Sequence, residues 1–266
     1  MPPYSATMAD PGLYGPHSVA WRINRERAIQ LTGARALLMQ LAHPAVAAGV
    51  AEHSDFKRRP LRRLARTITL SLDGVFGDTR TALNAVRVIN ARHAGVRGPA
   101  YDAMDPRLLA WVLATLVDSA VLGYELYVGP LAEEEKDAFL GEELRVARYL
   151  GMPESALPRG FAGLRRYVDA MIATGEVRVD DTARDLARWT LYPPRARFLR
   201  PALDFAALLT IVILPAPLRH QYGFAITVRQ RATFALLRHA VRRIVPLLPR
   251  ALREVPQARE ARRWIA

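Results

Sequence analysis

The chain has no cysteine among its 266 residues. That excludes thiolate metal sites, thiol nucleophiles and structural disulfides, and it leaves no mark of an oxidising compartment. Lysine is scarce too: only Lys57 and Lys136 occur, so almost all the positive charge is arginine. Glycine is sparse, and neither a GxxxxGK nor a GxGxxG phosphate loop is present. HExxH, GxSxG and ExxH are missing as well. Their absence argues against a zincin, a nucleophile-elbow hydrolase and a di-iron carboxylate bundle. No run alternates apolar and polar residues between turns, so strands are few or none. No apolar run reaches the ~20 residues of a spanning helix. The most hydrophobic one, Ala202–Leu218, is interrupted by Asp204, Pro215 and Pro217. It reads as a buried helix, with a membrane-touching helix as the alternative. The first 18 residues hold neither a charged n-region nor an apolar h-region, so the expectation is a cytoplasmic protein without a secretory signal.

What is present suits a large helical core. Half of the residues are apolar, at 51%, and a compact chain of this size buries roughly three quarters of its unfolded surface. The net charge is +13, but the arginines are spread along the chain rather than gathered in one tail. That pattern argues against nucleic acid as a partner and for a general attraction to acidic surfaces, anionic membranes included.

Residues 1–16, rich in proline and glycine, read as an irregular arm, and residues 17–266 as one helical domain. Ser18 can cap a short helix through about Asn24. A helix from about Glu26 carries Leu31, Ala34, Leu37, Leu38 and Leu41 at helical spacing and breaks at His43-Pro44. A short helix of small residues follows to Glu52. Pro60 suits a first-turn position and opens a helix to about Phe76. Asp78 or Thr79 caps the next one, with Ala82, Val86, Ile89 and His93 on one line. Asp105-Pro106 begins a long helix to about Val128 that is apolar nearly all round and belongs in the centre. Further helices are expected at about 131–150, 158–174, 181–191, 201–214, 227–244 and 252–264. The fold class is all-α: a single domain of roughly ten helices.

Two features carry chemistry. His93 ends an apolar line, where an imidazole serves either as a hydrogen-bonded core residue or as the axial ligand of a haem iron. Spacing and composition do not choose between these. Arg63, Arg66 and Thr67 share one side of the preceding helix. They read either as a solvated basic face, continuing Arg58, Arg59 and Arg62, or as polar groups edging into a pocket beside Leu64, Ile68 and Leu72. His43 and His53 read as helix-end devices.

Five segments then become recognisable: DPGLYGPHSVAWRI, LLMQLAHPAVAAGVAEHSDF, RRLARTITLSLDGVFGD, RHAGVRGPAYDAMDPRLLAWVLATLVDS and YLGMP. In that order they resemble the MpaB and latex-clearing-protein family of oxygenases, over about residues 10–260. The resemblance implies a partly globin-like, haem b-binding helical core. It implies His93 of HAGVR as the iron ligand, and Arg63, Arg66 and Thr67 as the basic-and-hydroxyl group of the distal face. Glu52 is the candidate for the distal acidic base. Short members of the family often carry histidine where this chain has Leu113, so any role of that residue is missing here. The implied activity is a haem-dependent oxygenase that uses dioxygen on a hydrophobic, isoprenoid- or lipid-like small molecule, by oxidative cleavage of a C=C bond. A peroxidase-like or redox- or gas-sensing haem protein, and a cofactor-free helical protein binding lipid or membrane, remain as alternatives.

Overall fold

The computed structural model describes residues 10–53 and 60–265, the side chains of 60–64, 195, 197, 264 and 265 excepted. It is 75% helical, with fourteen α-helices among the described residues. The shortest of these account for most of the excess over the roughly ten expected from sequence. The expected helix over 252–264 is two, separated by Glu254-Val255, and a short helix at Ala216–Gln221 follows Pro215.

Capping residues set the main boundaries. The hydroxyl of Ser18 accepts from Trp21 N–H at the start of α1 (Val19–Asn24). A 3-10 turn, Arg27–Thr32, leads into α2 (Gly33–Leu41), which stops before Pro44, the first residue of α3 (Pro44–His53). His43 does not bond the carbonyls freed at that break. Its Nδ1 instead accepts from Ala45 N–H at 3.2 Å, supplying an acceptor to the first turn of α3. Helix α4 (Pro60–Phe76) and α5 (Thr79–His93) form an antiparallel pair joined at Gly77-Asp78, and Asp78 accepts from Thr81 N–H at 2.7 Å. Gly12, at φ +71°, comes so close to this joint that a Cβ there would lie 2.2 Å from the Gly77 carbonyl oxygen. Asp10 accepts from both Thr79 N–H and its hydroxyl, so this end of the arm is tied to the start of α5.

Helix α6 (Pro106–Tyr127) is the axis of the fold, packed against α2, α1, α7 (Glu133–Ala147), α8 (Phe161–Ala173) and α12 (Val228–Ile244). Among the described residues it is the one helix long and apolar enough to cross a bilayer, but 67% of its most apolar window is buried inside the protein. It supplies Leu109, Trp111, Val117 and Val121 to the main core. Leu113 is half-buried and packs against that core. Helix α9 (Asp181–Leu191) covers α2 and α3, and α10 (Arg200–Ile213) covers α2, α9 and α12. A second, smaller core joins Trp21, Leu72, Val75 and Phe76 to Val255 and to Ala258 and Ala261 of the C-terminal helix. Trp21 meets Phe76 edge-on with ring centroids 4.8 Å apart.

One network of buried polar groups, not expected from the sequence, crosses the main core. Arg35 of α2 is 2% exposed and Asp118 of α6 is 1% exposed. The guanidinium donates to Asp118 at 2.7 Å, to the Ser119 hydroxyl at 2.6 Å and to the Ile213 carbonyl at 2.8 Å. Arg165 of α8 donates to the second oxygen of Asp118. Four helices are thereby pinned through two side chains. The clue in sequence is a lone arginine in the apolar run of α2 and a lone aspartate in α6.

Candidate functional site

Because α4 and α5 run antiparallel, the start of α4 and the end of α5 lie at the same end of the pair. The end of α3 reaches this region through a small hairpin that follows α5. In that hairpin Arg97–Gly98 (β1) pairs antiparallel with Tyr101–Asp102 (β2), Gly98 opposite Tyr101. The Tyr101 ring lies over Gly98, where a Cβ would come within 2.5 Å of it. It also packs on α3, where a Cβ at buried Gly49 would meet the Tyr101 ring at 3.4 Å and Val96 at 3.3 Å. Two glycines therefore set the approach of helix and hairpin.

This packing places Tyr101 between the two last side chains of α3. Its hydroxyl donates to Glu52 Oε2 at 2.6 Å, and His53 Nε2 lies 2.9 Å from the same oxygen. A phenol has one proton, and Glu52 receives it, so His53 is the donor in the second bond and its proton sits on Nε2. The order is His53 N–H to Tyr101 O–H to Glu52 carboxylate. The bond to Glu52, helped by burial, pushes the Tyr101 phenol up to about 12. Glu52 and His53 are exposed, whereas Tyr101 is buried. Tyr101 was not singled out in the sequence; the signal available was an aromatic just after the Gly-Pro turn of RGPAY.

His93 is the last residue of α5. Its line through Ala82 and Val86 begins buried, but Ile89 and His93 are half-buried, because the helix leaves the core as it ends. His93 thus stays on the inner line of α5 that its spacing gives it, but only half-buried. Its Nδ1 is nonetheless shut off from solvent without a hydrogen-bond partner among the described residues, and so is Oδ1 of Asn90 one turn earlier. Asn90 uses its amide group to bind the Tyr149 carbonyl at 2.9 Å, which ties α5 to the turn after α7. Burial lowers the His93 pKa, so the ring is neutral at pH 7 and has a nitrogen lone pair to offer.

On α4, Arg66 and Thr67 are exposed rather than edged into the core, whose contacts among the described side chains of this helix begin at half-buried Ile68. Arg63 falls outside the described side chains. Arg66 lies near enough to Arg92 of α5 that its charge, after burial, lowers the Arg92 pKa. The structure thus brings Arg66 within electrostatic reach of Arg92, the residue before His93. It brings Glu52 and His53 to the hairpin that starts four residues after His93, whose carbonyl accepts from Val96 N–H at 2.9 Å. His43 is not part of this group.

Two mycobacterial proteins, uncharacterized protein Rv2237 of Mycobacterium tuberculosis and uncharacterized protein Mb2261 of Mycobacterium bovis, are each 30% identical to the chain over 131 residues. That stretch is 46% of this chain and 51% of either relative, so the chain spans about half the length of the curated relatives it matches. No solved structure matches at a significant level. Residues 21–243 match the catalytic domain described as "ER-bound oxygenase mpaB/B'/Rubber oxygenase". With most of its length inside that match, the chain belongs to the MpaB and rubber-oxygenase catalytic-domain family, a family of oxygenases.

Proposed function

We propose that this protein is a haem b-dependent oxygenase that uses dioxygen to cleave a C=C bond in a hydrophobic, isoprenoid- or lipid-like small molecule. The observation that carries the reading is the His93 imidazole: neutral, half-buried, and with one ring nitrogen lacking any described partner. A metal ligand needs that state, because a protonated or fully hydrogen-bonded ring has no lone pair to give. His93 is the iron ligand in this assignment. When bound, the haem supplies an iron centre that activates dioxygen.

The remaining chemistry belongs to the chain's own residues. Arg66 and Arg92, two like charges held close together, gain from anionic groups such as haem propionates. Arg63 and Thr67, one turn apart on α4, supply the guanidinium and the hydroxyl that steady dioxygen. Glu52 is the group that accepts a proton from the reacting molecule. Tyr101 fixes the orientation of that carboxylate, and the bond from His53 links it to an imidazole open to solvent.

The absorption spectrum of the purified protein tests this directly. Expressed with ample haem, the wild type is expected to show a Soret band. His93→Ala is expected to lose most of it while keeping the helical circular dichroism of the wild type. A wild type with no Soret band sinks the haem assignment and favours a cofactor-free lipid-binding protein. Full haem occupancy and an unchanged spectrum in His93→Ala mean that another residue holds the iron. Oxygen uptake with an unsaturated terpenoid or lipid, in the absence of peroxide, separates an oxygenase from a peroxidase-like protein.

A further inference from the structure

The arginines are spread along the chain, but the acids are not. Residues 193–253 hold eleven arginines and a single acid, Asp204, so less than a quarter of the chain carries ten of its thirteen net positive charges. Asp204 is itself paired with Arg200 at 2.9 Å. Eight of the eleven large apolar side chains exposed among the described residues fall in the same stretch, between Phe198 and Leu252. Excess positive charge and exposed apolar surface therefore coincide.

Helix α12 shows how. It touches the rest of the fold through one line, Phe234, Leu237, Val241, with Val245 and Leu248 just beyond its end; Phe234 is buried and the others half-buried. A second apolar line, Leu236, Ala240, Ile244 and, past the helix end, Leu247, runs beside the first at the same three-and-four spacing. Nothing described covers it: Leu236 is 73% exposed, Ile244 54% and Leu247 83%. The fold uses only half of an apolar face that is two lines wide. At 3.6 residues per turn, Arg229 lies in line with Leu236 and Leu247, and Arg243 at their outer edge. His239, Arg242 and Arg243 line a surface recess beside them. On the neighbouring α10, Phe205 is exposed as well.

We propose that α12 and the adjoining exposed side chains form a docking face for an anionic lipid bilayer. Aliphatic and aromatic groups enter the boundary between headgroups and acyl chains, while long arginine side chains reach lipid phosphates at that level. A nucleic acid would meet the arginines but leave Leu236, Ile244 and Leu247 without apolar contact. An acidic protein surface would face the same apolar excess. The bilayer satisfies both halves of the pattern. This inference does not depend on the chemistry at His93.

The test is co-sedimentation of the purified full chain with phosphatidylcholine vesicles and with vesicles containing phosphatidylglycerol. The anionic vesicles are expected to bind at a lipid concentration about tenfold lower than the neutral ones, with the difference shrinking as salt is raised. The double variant L236E/L247E is expected to weaken anionic-vesicle binding about tenfold, and R229Q/R243Q several-fold, at unchanged circular dichroism, since all four positions are exposed. Absence of binding to anionic vesicles overturns the proposal. Equal binding to neutral and anionic vesicles overturns its electrostatic half, and undiminished binding of L236E/L247E overturns insertion. Tighter binding to a nucleic-acid duplex than to anionic vesicles reassigns the face to nucleic acid.

Discussion

Two polar clusters in this molecule are made of similar groups and are completed to very different degrees. In the cluster around Asp118, both carboxylate oxygens and all three donating positions of Arg35 that point inward have partners within the protein. At the other end, Tyr101 joins two exposed side chains, and His93 and Asn90 each keep a buried polar atom without a described partner. A fully satisfied buried network has nothing left for a ligand, and its value is in fixing the mutual placement of helices. An incompletely satisfied one has lone pairs and charges to spend on something else. Satisfaction, more than residue type, distinguishes these two clusters.

The largest expected effect tests the scaffold side of this contrast. Asp118→Ala leaves the Arg35 guanidinium buried and unpaired, and should cost roughly 3–5 kcal/mol of stability in chemical denaturation. A loss below about 1 kcal/mol would break the contrast, because the network would then be as dispensable as the open cluster. Next, Gly98→Ala forces a methyl group against the Tyr101 ring, and the hairpin should lose about 1–3 kcal/mol. Its thermal melt should fall while Gly95→Ala, whose Cβ would meet nothing closer than 3.7 Å, stays near the wild type. Tyr101→Phe removes the bond to Glu52 and the acceptor for His53. The expected cost is about 1 kcal/mol, with a much larger proportional loss of oxygenase turnover than of stability. Equal losses in both would make Tyr101 a structural residue only.

The smallest effect is one of pH. Burial holds the folded pKa of His93 below its unfolded value near 6.5. Its contribution to stability is therefore complete above that value and is lost as the pH falls through the lower folded pKa. Between pH 7 and 5 the wild type should lose stability as the unfolded imidazole takes up a proton first, and His93→Asn should abolish that part of the loss. His43 is shifted the same way by burial, so the wild-type-minus-variant difference is the quantity to measure. A cofactor held through His93 should be released over the same acid range. Soret loss that is independent of His93 would point to another ligand.

Much of the fold was legible in local chemistry. Ser18, Asp78 and Asp105 cap helices where their side chains can reach free N–H groups, and Pro60 and Pro106 begin helices where a missing donor costs nothing. Where local reading stopped short, the missing information was non-local. Periodicity set His93 on the inner line of α5, but how far that line stays buried depends on where α5 leaves the core. Arg66 and Thr67 follow Arg63 at three- and four-residue spacing, and only the packing of α4 leaves both of them exposed. Tyr101 meets Glu52 across 49 residues, and Arg35 meets Asp118 across 83, distances at which no spacing rule operates.

By itself, the sequence determined the all-α class, the boundaries of the capped helices, the absence of cysteine chemistry and the resemblance that led to an oxygenase family. These follow from forces acting within a turn or two of the chain, or from motifs that can be read as letters. Tertiary structure alone decided which polar groups are completed and which are left open, and which half of the α12 apolar face is covered. Both depend on what a second, distant segment brings to the same place, and only the folded chain holds that information.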